Sequence, residues 1–173
     1  MKFLIALSIL IISLSYAERS PVERSGDIIQ LAIPISGLGY TYYIDDKDGR
    51  KQFWKSYIYS LSTTYVLKGV TNKTRPNGHC CESFPSGHTS SAFAGAMFIQ
   101  NRYGYKFGIP SLLLASFVGF SRVDAKKHYW EDVVAGATIS IVSAYLFVNQ
   151  KNEQRLELSY SPYLKQINLY ISL

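Results

Sequence analysis

At 173 residues the chain has the length of one domain and is long enough to bury a core without disulfide staples, which argues against a second domain. Its formal charge of +6 is a modest positive excess that suits anionic substrates or a membrane surface, and no nucleic-acid recognition motif accompanies it. The two cysteines, Cys80 and Cys81, are adjacent, where a bridge is strained, so packing rather than cross-linking is expected to hold the fold.

The N-terminus, MKFLIALSILIISLSYA, has one lysine, an apolar run of signal-peptide length and small residues at Ser15 and Ala17. It reads as a secretory signal over residues 1–17, cleaved after Ala17, or as an uncleaved anchor helix. Either reading places the working domain, residues 18–150, outside the cytoplasm, in the periplasm, soluble or membrane-associated. Asp27 to Ile44 is mostly apolar, with Pro34, Gly37 and Gly39 inviting a kink or a break. A charged turn, DDKDGRK, follows. In QFWKSYIYSLSTTYVLK, Trp54, Ile58, Leu61 and Tyr65 recur at alternating steps of four and three, the spacing of one helical face. Lys68 is the next position on that face, where a lysine either snorkels to solvent or is delivered to a polar site inside the fold.

The loop TNKTRPNGHCCESFPSG precedes a helix expected from about Thr89 to Asn101, with Ser86 or Thr89 as its N-cap. His79-Cys80-Cys81 lacks the spacing of a zinc site, and no metal is expected there. After a turn through RYGYKFG, Pro110 suits the first turn of an apolar helix over roughly Ser111 to Phe120. A basic loop, SRVDAKKH, leads into the last long helix, YWEDVVAGATISIVSAYLFV. In the tail, residues 151–173, Ile167, Leu169, Ile171 and Leu173 alternate with other residues, which predicts a short β-hairpin. The fold expected is therefore all-α, a bundle of five to six helices followed by that hairpin. Only Ile28–Ile44 and Val133–Gln150 approach the roughly twenty apolar residues that a bilayer requires. With a mean hydropathy of +0.02, a soluble or peripheral bundle is favoured over an integral multi-pass inner-membrane protein.

Phosphate-ester chemistry needs cations around the nonbridging oxygens, an in-line nucleophile and an acid for the leaving group. In ESFPSGHTSSAF, the backbone N–H groups of Ser86, Gly87 and the first helical turn face one point where the helix dipole favours an anion, with His88 beside it. Lys68 and Arg75 flank one loop and Arg122 opens another; a guanidinium holds two phosphate oxygens at once, while an ammonium offers a compact charge. His128 and Asp132 stand four apart, so the carboxylate can fold back on the imidazole, accept from Nδ1–H and leave Nε2 free.

Taken in order, Lys68-x6-Arg75-Pro76, Pro85-Ser86-Gly87-His88 and Ser121-Arg122-x5-His128-x3-Asp132 match three signature segments of one family. The chain resembles the type 2 phosphatidic acid phosphatase superfamily, which also includes bacterial class A acid phosphatases and vanadium haloperoxidases. The resemblance implies an all-α bundle with its active site in loops at one end and a metal-independent, cofactor-free phosphatase. It also implies roles: Lys68, Arg75 and Arg122 bind phosphate with Ser86 and the Gly87 N–H, His128 attacks phosphorus to form a phosphohistidine, Asp132 orients it, and His88 protonates the leaving oxygen. The substrate implied is a lipid-linked phosphate of the phosphatidic acid, phosphatidylglycerol phosphate, undecaprenyl pyrophosphate or lipid A type. A soluble non-specific acid phosphatase and a non-catalytic phosphate- or lipid-binding protein are the alternatives, while the chain is short for a vanadate-dependent haloperoxidase. Oligomeric state is not legible.

Overall fold

The computed structural model describes residues 19–151 and two strands, β1 (Leu156–Ser161) and β2 (Gln166–Ile171). The signal or anchor expected over residues 1–17 lies outside them. Five helices follow in order: α1 (Pro21–Tyr43), α2 (Lys47–Thr71), α3 (Gly87–Tyr103), α4 (Tyr105–Asp124) and α5 (Trp130–Phe147). The strands pair antiparallel, Leu156 opposite Ile171, as the hairpin expected in the tail.

Local chemistry sets the helix boundaries. Ser20 caps α1 by accepting from the Glu23 N–H, with Pro21 in the first turn, and Asp46 caps α2 by accepting from the Gly49 N–H. Pro34 lies within α1, which continues to Tyr43 without the break expected there. The turn expected through RYGYKFG shrinks to Gly104, whose φ of +84° a side chain rarely adopts. The next helix therefore starts at Tyr105, and Pro110 falls inside it rather than in its first turn.

Helix α3 stands in the middle, buried on nearly every side from Thr89 to Ile99 because Ala, Ser and Gly let its neighbours approach. At Gly95 a Cβ would come within 2.7 Å of the Pro34 backbone, so this contact between α1 and α3 requires glycine. Hydroxyls complete the interior: Thr64 donates to Ser90 Oγ at 2.8 Å, Ser140 to the Ser90 carbonyl at 2.8 Å and Ser143 to the Ser56 carbonyl at 2.8 Å.

The apolar stripe of α2 turns outward and a hydroxyl row turns inward. Ile58 and Tyr65 are 57% and 61% exposed, whereas Ser56, Ser60 and Thr64 are buried, with Lys68 continuing their row. Apolar residues also cover the outside of the other helices, including Ile35, Leu113, Val134 and Leu146. Among the described residues, α4 and α5 are long and apolar enough to cross a membrane. Cys80 and Cys81 lie side by side in the α2–α3 loop, their Cα atoms 3.3 Å apart across a cis peptide. A trans peptide would hold those atoms at about 3.8 Å.

Candidate active site

The helices run alternately toward and away from one end, and that end gathers the starts of α1, α3 and α5 with the finishes of α2 and α4. An open cleft of about 390 Å³ there is lined by Lys68, Arg75, Gly87, His88 and His128. Five of the eight expected site residues, drawn from all three sequence segments, thus share one cavity. Its apolar wall belongs to α1 and α2 and includes Leu31, Tyr57, Leu61 and Tyr65, and Glu82 and Ser91 also line it. Ser86, Arg122 and Asp132 are fully buried and lie outside this lining.

Each cation has a different setting. Lys68 is buried and donates to the Glu82 carbonyl at 2.5 Å. Arg75 lies 3.9 Å from the Glu82 carboxylate, and its buried Nε has no hydrogen-bond partner among the described residues. Arg122 is bound on three sides: to Asp27 Oδ1 at 2.6 Å, the Glu23 carbonyl at 2.7 Å and Ser121 Oγ at 3.0 Å. Gly26 permits this, since a Cβ there would meet Ser121 Oγ at 2.0 Å and the Arg122 guanidinium at 2.6 Å.

Ser86 is the N-cap of α3: its Oγ accepts from the Thr89 N–H at 3.4 Å, and its own N–H donates to the Asp132 carbonyl at 3.0 Å. The serine that the phosphate-site reading singled out therefore also starts the helix, and Gly87 and His88 are that helix's first two residues. His88 Nε2 lies 3.1 Å from Asp27 Oδ1.

His128 departs from the carboxylate contact that its spacing from Asp132 suggested. Its Nδ1 donates to the Ser83 carbonyl at 2.7 Å, while Asp132 Oδ2 stands 3.7 Å away. Asp132 is engaged elsewhere, by Lys73 Nζ at 2.6 Å, Ser83 Oγ at 2.5 Å and the Tyr129 N–H at 2.9 Å. The carbonyl still keeps the proton on Nδ1 and leaves Nε2 as the basic nitrogen. Burial, joined by the charges of Lys68 and Arg75, pushes the His128 imidazole down to about 4, against the Ser83 hydrogen bond and Asp132, which raise it. Burial would also lower the Lys73 ammonium, but hydrogen bonds to Asp132 and Glu131 outweigh it and raise that group.

Asp27, Glu23, Lys73 and Ser83 escaped the sequence reading. Asp27 looked like the polar edge of an apolar run, and Lys73 and Ser83 like loop residues. Ser83 adjoins the segment that carries Ser86 and His88, and its polar neighbours were the one signal available.

Residues 52–156 match the PAP2 superfamily, more than half of the chain. The chain belongs to the PAP2 superfamily. Over 145 residues it is 30% identical to the lipid A 4'-phosphatase of Helicobacter pylori, covering 78% of this chain and 73% of that protein. Over 132 residues it is 29% identical to the lipid A 1-phosphatase of Porphyromonas gingivalis, covering 70% of this chain but only 28% of that longer protein. The crystal structure of Aquifex aeolicus LpxE superposes with a TM-score of 0.57 at 23% identity, over 80% of this chain and 92% of that one, a likeness of fold. In this PAP2 chain the family match begins inside α2, so α1, with Glu23 and Asp27, precedes it.

Proposed function

We propose that this chain is a metal-independent lipid phosphatase working through a phosphohistidine, embedded in a membrane with its cleft at headgroup level. The observation that carries the reading is the single cleft in which two histidines, a lysine and an arginine face one another beside an apolar wall from α1 and α2. Phosphate suits the charged part and an acyl or prenyl chain the apolar part. The names of the relatives support a phosphorylated lipid of the lipid A, phosphatidate or undecaprenyl diphosphate class. The exposed apolar belt supports a lipid surrounding, and Tyr129 and Trp130, exposed at the cleft end, suit the interface.

In this mechanism Lys68 and Arg75 hold the nonbridging oxygens, with the Gly87 N–H at the start of α3. His128 Nε2 attacks phosphorus; the P–N bond forms as the P–O ester bond breaks, and His88 gives its proton to the departing oxygen. Water then attacks the phosphohistidine, His88 takes a proton from it, and the P–N electron pair returns to His128. Asp132, tied to Ser83 and Lys73, positions the loop whose carbonyl holds His128.

The test is phosphate release from mixed micelles of phosphatidic acid, undecaprenyl pyrophosphate or lipid A, compared with a water-soluble monoester. His128→Ala is expected to lose at least about a thousand-fold on every substrate while keeping its helical circular dichroism. Undiminished turnover in that variant would refute the phosphohistidine, and preference for the soluble ester would refute the lipid assignment.

A further inference from the structure

The geometry points to Asp27 as the positioning residue for His88, making His88–Asp27 an imidazole–carboxylate pair that faces the cleft. This rests on the proposed role of His88 as the proton donor. Asp27 comes from α1, before the segment matched to the family, and its side chain is only 13% exposed. Its Oδ1 meets both His88 Nε2, at 3.1 Å, and Arg122, at 2.6 Å, while Oδ2 accepts from Arg19 at 2.8 Å. With Nε2 turned to the carboxylate, Nδ1 is the ring nitrogen left for the cleft that His88 lines.

Charge explains why a carboxylate is needed there. A proton donor must first carry the proton, yet burial first, and then the charges of Arg122 from α4 and Lys127 from the following loop, lower the His88 imidazole against the opposing pull of Asp27, and Lys68, Arg75 and His128 share its cleft. Of the carboxylates nearby, Glu23 is taken by Lys127 and Glu82 lies beside Arg75. Among the described residues, Asp27 is the carboxylate within hydrogen-bonding distance of the ring. It favours the imidazolium, with Nε2–H donating to Oδ1 and Nδ1–H aimed at the leaving oxygen. After Nδ1 gives up its proton, the neutral ring keeps Nε2–H, and the vacated Nδ1 accepts the proton of the attacking water. Asp27 itself stays ionised throughout.

Asp27→Asn in the full chain separates this role from a purely structural tie between α1 and α4. The measurement is kcat/KM against pH for an alkyl phosphate, whose leaving group must be protonated, and for p-nitrophenyl phosphate, whose leaving group need not be. The expected result for the alkyl ester is a fall of about ten- to a hundred-fold, with the basic limb moved down by about one pH unit or more. The nitrophenyl ester should fall far less, and His88→Ala should reproduce that pattern. Equal losses on both esters with an unmoved basic limb would overturn the role. Loss of proton donation alone leaves attack by His128 intact, so a normal rate in His128→Ala marks failure of the phosphohistidine reading instead. A second measurement needs no variant. The chain has three histidines, so long-range proton–nitrogen NMR can assign each ring; neutral His88 should carry its proton on Nε2, and a proton on Nδ1 would overturn the pairing.

Discussion

His128 gives its Nδ1 proton to a backbone carbonyl, a partner with no protonation state to lose in the working range, so its tautomer is held wherever the ring is neutral. Neutral imidazole is the nucleophilic form, so the acid limb of kcat/KM for the free enzyme should fall near pH 4, where burial and the two cations place this ring. Lys68→Met or Arg75→Ala removes a charge that disfavours the imidazolium. In either variant the limb should move upward, by up to about one pH unit, together with the rise in KM that the proposed phosphate-binding role entails. A limb that stays in place would show that burial alone sets the value. Gly26 belongs to the same scale: its missing Cβ is the space through which Arg122 reaches Glu23 and Asp27.

Close approaches and buried ion pairs decide how the helices stand. Gly95 against Pro34 sets α3 on α1, and at Gly136 a Cβ would come within 2.7 Å of the Ser86 carbonyl, which sets α5 against the start of α3. Gly95→Val should destabilise the fold by about 1–3 kcal/mol, because the neighbour it would meet, Pro34, presents backbone there and cannot rotate aside. A melting temperature unchanged in detergent would contradict that contact. At the end away from the cleft, Arg102 clasps Asp46 with two bonds, at 2.6 and 2.8 Å, and Tyr103 adds a third at 3.1 Å. The Arg102 bond first, with help from the Gly49 N–H and Tyr103 against the opposing effect of burial, lowers the Asp46 carboxyl to about 2. A carboxyl depressed on folding contributes stability above its unfolded value, near 4, and loses it as pH falls toward 2. Asp46 should therefore add of order 1 to 2 kcal/mol at neutral pH. Asp46→Asn should flatten the stability change between pH 4 and 2, as read by denaturant titration.

At the scale of the molecule, the interior is small and hydroxyl-rich while the exterior is apolar, the arrangement of a bundle surrounded by lipid. Serine and threonine inside satisfy one another across helices, and in the proposed embedded state the exposed Ile58, Val66, Leu113 and Val142 would meet lipid chains. The protein should remain with membranes through a high-salt, alkaline wash and leave them only in detergent; release by the wash would defeat the embedded reading. Leu113→Arg, at a position 68% exposed on α4, should reduce the integrated fraction, in keeping with a cost of about 2–3 kcal/mol for a charge in the apolar layer.

The sequence by itself determined that helices would form, which charged and imidazole residues would gather at one cleft, and that a hairpin would follow the last helix, because periodicity, caps and motif spacing are local properties of the chain. It left open which face of α2 turns inward, because a spacing of three and four is the same whether the stripe faces a core or the outside. It also missed partners whose separation along the chain is large: Asp27 to His88 and Arg122, Lys73 to Asp132, and Ser83 to His128. Only the packing of α1 beside α3 and α4, and of the α2–α3 loop over the start of α5, decided those pairings. The physical reason is that a lone charge carries no sign of its partner until folding removes both from water and obliges them to meet.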